Sequence, residues 1–248
     1  IIQTYYKLLK NRYLLLVIVF DAVNLSDPRL IGGANAPKEK FTYVVKVEIL
    51  REAEITNLCT GAVISSSWTL TAAHCINPYL TLRIITSLHK NIPVKHAAKQ
   101  NDVGLLNHDI IPLKQYGKIS AVEYKSLNGQ KCTALGYGLT EAPTAGKPLT
   151  PAMVPDNLQF AEMLLTNCQH MDPEWHTDLM CLVSPCKASH STIMIGDSGG
   201  PVVHPSGIVA VNSGVLALNK IREGNSGLVT PISPYLQWIK NTLQKIYY

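Results

Sequence analysis

Residues 195–201 read IGDSGGP: an acid, a hydroxyl and two glycines, closed by Pro201. The glycines suit a backbone that bends sharply and lets a second chain come close. Gly, Asp, Ser and Pro are equally the residues of an ordinary surface turn. A serine hydroxyl becomes a nucleophile only beside a base, and the base needs a third group to orient it. The rest of the chain decides between a turn and such a site.

Two chain orders compete. The run GDSGG fits the G-x-S-x-G elbow, in which an acid and then a histidine follow the serine. Downstream of Ser198 the acid is Glu223, and no histidine follows it, so that order fails. The order His, Asp, Ser succeeds. TLTAAHC (69–75) sets His74 before Cys75 at the end of an apolar strand, and QNDVGLL (100–106) sets Asp102 before another apolar run. Singly, one histidine among eight, or an aspartate beside Asn101, is ordinary. All three contexts in the right order define a candidate triad.

The bulk numbers are compatible with an enzyme. The chain has 248 residues, 46% hydrophobic and 16% charged, enough for a core and free of disordered composition. Its net charge is +5, but the basic residues are scattered and no basic run interleaves with aromatics, which excludes a nucleic-acid reading. Lys7, Lys10 and Arg12 precede an apolar run from Tyr13 to Phe20, similar to a secretory signal. A buried strand is the other reading of that run, which is too short to span a membrane. Six cysteines in a secreted chain imply disulfides.

Short apolar runs with Gly, Pro and Asn between them recur along the chain. They include YVVKVEIL (43–50), GAVISSSWTLTAA (61–73), LTLRIITSL (80–88), KCTALGYG (131–138), NLQFAEMLL (157–165), PVVHPSGIVAVNSGVL (201–216) and GLVTPI (227–232). This pattern predicts an all-β barrel or sandwich. Leu236, Ile239, Leu243 and Ile246 fall at helical spacing and predict a closing amphipathic helix. Leu139–Pro155, rich in Pro, Thr and Ala, reads as a long exposed loop.

TAAHC, NDVGLL and GDSGGP together resemble the three catalytic motifs of the trypsin/chymotrypsin serine proteases, and RLIGG (29–33) resembles that family's activation site. The resemblance runs from about Arg29 to the C-terminal helix. It implies two packed six-stranded antiparallel β-barrels with a C-terminal α-helix. It also implies a signal-like segment at 1–23, a short propeptide at 24–29 and a protease domain at 30–248. By the same resemblance Ser198 is the nucleophile, His74 the base and Asp102 its orienting acid, with the N–H groups of Gly196 and Ser198 as the oxyanion hole. Cleavage after Arg29 would free the Leu30 amine to pair with Asp197. Implied disulfides are Cys59–Cys75 and Cys168–Cys181.

Departures from the family pattern carry expectations too. His204 stands where the partner of Cys132 would be, and Met194 and Leu218 stand where another bridge would lie; Cys132 and Cys186 are left over, expected to be free, with a pairing outside the family pattern as the alternative. Asp102 follows His74 by only 28 positions, and the calcium-binding loop of some members is missing, so no metal is expected. Asp109 is the fallback for the acid. Counting back from Ser198 places Thr192 at the base of the specificity pocket. Ser213 falls beside the triad, Val215 on one wall, and Gly227 keeps the opposite wall open. The implied enzyme is a secreted, extracellular, monomeric endopeptidase without cofactor, preferring small or medium apolar residues before the scissile bond. Its implied partners are protein or peptide substrates, an activating protease and protein protease inhibitors, with no nucleic acid and no membrane span. The competing reading is a catalytically silent homologue that binds or regulates a partner. A structural extracellular β-domain leaves the three motifs unexplained.

Overall fold

The alternating apolar runs fold as two closed barrels. The structure is a computed structural model that describes residues 33–37, 39–139, 155–168, 179–185, 191–215 and 227–245. Segments 1–23 and 24–29, Arg29, Leu30, Cys186, Leu218 and positions 140–154 lie outside the described residues.

The first barrel comprises β2 (Val44–Arg51), β3 (Glu54–Ser65), β4 (Trp68–Ala72), β5 (Thr81–Ile85), β6 (Asn91–Gln100) and β7 (Val103–His108), in the closed order β2-β3-β4-β7-β6-β5. The second comprises β8 (Lys131–Gly136), β9 (Gln159–Asn167), β10 (Met180–Val183), β11 (Pro201–His204), β12 (Gly207–Val215) and β13 (Gly227–Pro231). It closes because β8 pairs with both β9 and β11, and β1 (Ala34–Asn35) adds to the edge of β9. All these strand pairings are antiparallel, as the family resemblance implies. Closure removes the exposed edges that open sheets must protect.

Each barrel has its own core, because inward residues alternate with outward ones along each strand. Val44, Val47, Leu70, Ile84 and Leu105 fill the first, and Met163, Leu165, Leu182, Val202 and Val229 the second. The helix α1 (Leu236–Leu243) lays Ile239 into the first core, across from the barrel it follows in sequence. The connection between barrels is stitched to both. Gly117 N–H donates to Val63 C=O at 2.8 Å, and Ile208 N–H to Lys118 C=O at 2.7 Å. The ends of the predicted exposed loop, Leu139 and Pro155, are buried.

Not every sequence signal was an apolar alternation. The strand β6 is mostly solvent-exposed, and its two neighbours β5 and β7 supply the pairing that holds it extended. A two-residue turn, Asn101-Asp102, joins it to β7, with Asn101 in the left-handed region at φ 47°.

His108, at the end of β7, is a buried polar member of the first barrel. Its Nδ1 lies 2.7 Å from the Asp109 carbonyl, which can only accept, so that nitrogen carries the hydrogen. Its Nε2 then accepts from the Thr69 hydroxyl at 3.0 Å. Burial lowers its pKa, against the opposing pull of the Asp109 carbonyl and charge. A lowered folded value means that the unfolded chain binds the proton first. The stabilisation is therefore present above the ordinary histidine value of about 6.5 and is lost as pH falls below it. Melting temperature should fall between about pH 7 and 5, and His108→Gln should flatten that slope in parallel thermal melts.

Candidate active site

The barrels bring the three predicted motifs to one junction. His74 sits in a single 3-10 turn, Ala73–Cys75, that ends β4, and Ala73 N–H donates to the Asp102 carbonyl at 2.9 Å. The short β6–β7 hairpin thus holds Asp102 against the histidine turn. A disulfide joins Cys59 on β3 to Cys75, and the Ser198 carbonyl lies 3.7 Å from the Cys75 sulfur. A His74 ring nitrogen and both sulfurs lie within 4.8 Å of one another, so the ring rests on the disulfide. That trio is not a metal centre, because both sulfurs are committed to their bond.

His74 is exposed on its outer side, while Asp102 and Ser198 are half-buried. Partial burial lowers the His74 pKa, and the Asp102 charge works against that shift. Among the described residues, no hydrogen bond joins the His74 ring to Asp102 or to Ser198. The structure therefore gathers the three residues without linking their side chains. Asp109 lies at the opposite end of β7, about 20 Å along the strand, where it pairs with Lys95 at 2.6 Å.

The serine turn is held from many sides. Asp197 N–H donates to Met194 C=O at 3.0 Å, Gly200 N–H to Asp197 C=O at 2.9 Å, and Gly199 N–H to Asn212 C=O at 2.7 Å. The Ile195 carbonyl accepts from Leu139 N–H at 2.8 Å. The N–H groups of Gly196 and Ser198 have no acceptor among the described residues. Gly196 has φ 97°, and a Cβ there would stand 2.9 Å from Gly138 Cα.

Asp197 is fully buried. Gly138 N–H donates to its Oδ1 and Met194 N–H to its Oδ2, both at 2.8 Å. Burial pushes its pKa up to about 7, because those two hydrogen bonds only partly replace lost water. No cation faces it among the described residues.

The predicted pocket differs from expectation in one respect. Thr192 and Met194 are buried, but the space beside Gly227 is not open. A Cβ at Gly227 would meet Ile193 Cγ1 at 2.6 Å, so the Ile193 side chain fills that wall. Ser213 sits at the β12 bulge between Asn212 and Gly214, and Val215 pairs with Gly227 through its backbone. Sequence reading passed over Ile193, whose signal was its place between Thr192 and Met194. A second disulfide joins Cys168 to Cys181, whereas Cys132 is buried and unpaired. Burial pushes its thiol up to about 12, which leaves it inert at neutral pH.

With this geometry in place, comparison with known proteins defines the class: the chain belongs to the trypsin family, whose sequence model matches residues 30–239. It is 28% identical to human Serine protease 1, over 92% of this chain and 97% of that protein. It is 29% identical to human Kallikrein-8, over 75% of this chain and 77% of that protein. The fold matches the solved structure of neuropsin, a serine protease of mouse brain, with a TM-score of 0.66 and 19% identity, covering 86% of this chain and 99% of that one. No helix among the described residues is long and apolar enough to cross a membrane.

The glycines around Asp197 yield a stability test. A Cβ at Gly136 would fall 2.0 Å from Asp197 Oδ1, too close for the carboxylate to stay where it is bonded. Gly136→Ala should destabilise the folded chain by about 1–3 kcal/mol, the usual cost of overpacking, as read from denaturant unfolding.

Proposed function

We propose that this chain is a secreted serine endopeptidase made as a zymogen. The observation that carries the reading is the pair of unengaged N–H groups, Gly196 and Ser198, on the turn that carries the Ser198 hydroxyl and meets Cys75, the residue after His74. Ser198 Oγ attacks the peptide carbonyl and passes its proton to His74. The carbonyl oxygen becomes an oxyanion between the two N–H donors. His74 returns the proton to the leaving amine, and a water molecule then releases the acyl group by the same route. Asp102 holds the imidazole in the productive tautomer. Catalytic hydrogen bonds that are absent from a free site form when substrate covers the exposed face of the base.

Activation follows from Asp197. Its buried carboxylate has two N–H donors and lacks a cation among the described residues. Cleavage after Arg29 supplies one, the Leu30 ammonium, and a buried charge with a partner is stable. The disulfides support an oxidising, extracellular destination. The enzyme acts as a monomer on protein or peptide substrates, after an activating protease, and is open to protein inhibitors. The missing His74 hydrogen bonds favour the second reading, a catalytically silent homologue.

A fluorophosphonate probe on protein cut after Arg29 separates the two. Ser198 should label, Ser198→Ala should not, and Arg29→Gln should leave a poorly reactive chain. A cut, folded wild type that stays unlabelled overturns the protease reading. Activity should rise with pH through a midpoint below the ordinary histidine value of about 6.5, because His74 must be neutral to accept a proton. Asp102→Asn should lower turnover by about 10⁴-fold.

Specificity follows from Thr192 and Ile193. A Lys or Arg side chain would reach a neutral hydroxyl with its charge unpaired, which is strongly penalised. Ile193 also takes the space beside Gly227, so small apolar residues such as Ala and Val should rank above Leu. In a peptide-library profile Thr192→Asp alone should not create a preference for basic residues. Ile193→Gly should widen acceptance towards larger side chains. A wild-type profile dominated by Arg or Lys would show the pocket assignment to be wrong.

A further inference from the structure

Thr60, the residue after Cys59 on β3, is fully buried between the barrels, with every polar group engaged. Its hydroxyl donates to the Gly196 carbonyl at 2.8 Å and accepts from Tyr137 N–H at 3.0 Å. Its own N–H donates to the Ser198 carbonyl at 2.8 Å, and its carbonyl accepts from the Thr71 hydroxyl at 2.9 Å. One side chain of the first barrel therefore grips the serine turn of the second and the end of β8 together.

The geometry points to Thr60 as a positioning residue that fixes the Gly196–Asp197 peptide, and with it the path of the chain into Ser198, through its hydroxyl. This rests on the protease reading above. Gly196 lies between two peptide planes and rotates only about its own φ and ψ. The preceding plane is fixed by Leu139 N–H on the Ile195 carbonyl. The following plane is fixed at both ends, by the Thr60 hydroxyl on the Gly196 carbonyl and by Met194 C=O on Asp197 N–H. The Gly196 N–H belongs to the preceding plane, which Leu139 holds; the following plane, which Thr60 holds, sets how the chain leaves Gly196 towards Asp197 and Ser198.

The same hydroxyl ties this turn to the cradle of Asp197. Tyr137, whose N–H it accepts, is followed by Gly138, which donates to Asp197 Oδ1, and by Leu139, which holds Ile195. Without the hydroxyl, the Gly196 carbonyl and the Tyr137 N–H lose their partner in a place that water does not reach. An unsatisfied buried group relieves itself by moving. The movement available to this one is a rotation of the Gly196–Asp197 peptide. No other described side chain contacts the Gly196 carbonyl through a hydrogen bond.

Thr60→Val keeps the shape and removes the hydroxyl, whereas Thr60→Ser keeps the hydroxyl and removes a methyl. On the chain cut after Arg29, Thr60→Val should lower kcat by roughly 10- to 100-fold with KM little changed. That is below the effect of deleting an oxyanion donor, because Thr60 acts at one remove. Thr60→Ser should stay within about 3-fold of wild type on the same scale. Deuterium exchange of the segment 194–200 in the full chain provides a readout independent of catalysis. Thr60→Val should raise exchange there, and Thr60→Ser should leave it at the wild-type level. Equal losses of kcat in the two variants, or a loss confined to KM, would assign Thr60 a packing role only and overturn the inference. So would unchanged exchange in Thr60→Val; a wild type that fails to react with fluorophosphonate overturns the protease reading separately and leaves the exchange comparison standing.

Discussion

The Asp197 carboxylate is the constraint around which the second barrel's end is built. It lies wholly out of water, and two backbone N–H groups, from Gly138 and Met194, are what it has among the described residues in exchange. Those donors come from separate segments, one leaving β8 and one inside the serine turn. Meeting both fixes the distance between them. The glycines at 136 and 138 are then required, because any side chain there would occupy the space of the carboxylate. The turn's tightness, and with it the orientation of Ser198, follows from keeping one charge-capable group satisfied in a closed space.

The site belongs to neither barrel alone. His74 and Asp102 stand at the ends of β4 and β6 in the first barrel, and Ser198 precedes β11 in the second. What joins them is backbone hydrogen bonding, one disulfide and the Thr60 hydroxyl. Side-chain hydrogen bonds among the three are absent, which leaves the junction itself as the organising element.

Much of this was legible before any coordinates. Strands such as β2 and β4 carry buried, β-branched or apolar residues, and β12 carries a buried run from Ile208 to Asn212, so their patterns announce them. The helix α1 declares itself through Leu236, Ile239 and Leu243 in the same way. The strand β6 did not, because Lys95, His96 and Lys99 face water and its extended form is imposed by neighbours on both sides. At the candidate site, His74, Asp102 and Ser198 stand out in the sequence because their local motifs are distinctive. Thr60 and Ile193 could not. A threonine in an apolar strand and an isoleucine before a methionine are ordinary in sequence. Their roles arise from what the other barrel, or a distant glycine, places opposite them.

The span of the Thr60 contact also bears on assembly. The first barrel is stitched largely by hairpins between successive strands, such as β2–β3 and β6–β7, which close short stretches of chain. The bond from Thr60 to Gly196 bridges 136 residues. Closing a long loop costs conformational entropy before its contact gives anything back, so non-local pairings form late. The junction that holds Ser198 is therefore expected to be the last part of the molecule to consolidate. Unfolding is expected to retrace that order, opening the junction while the sheets on either side still stand.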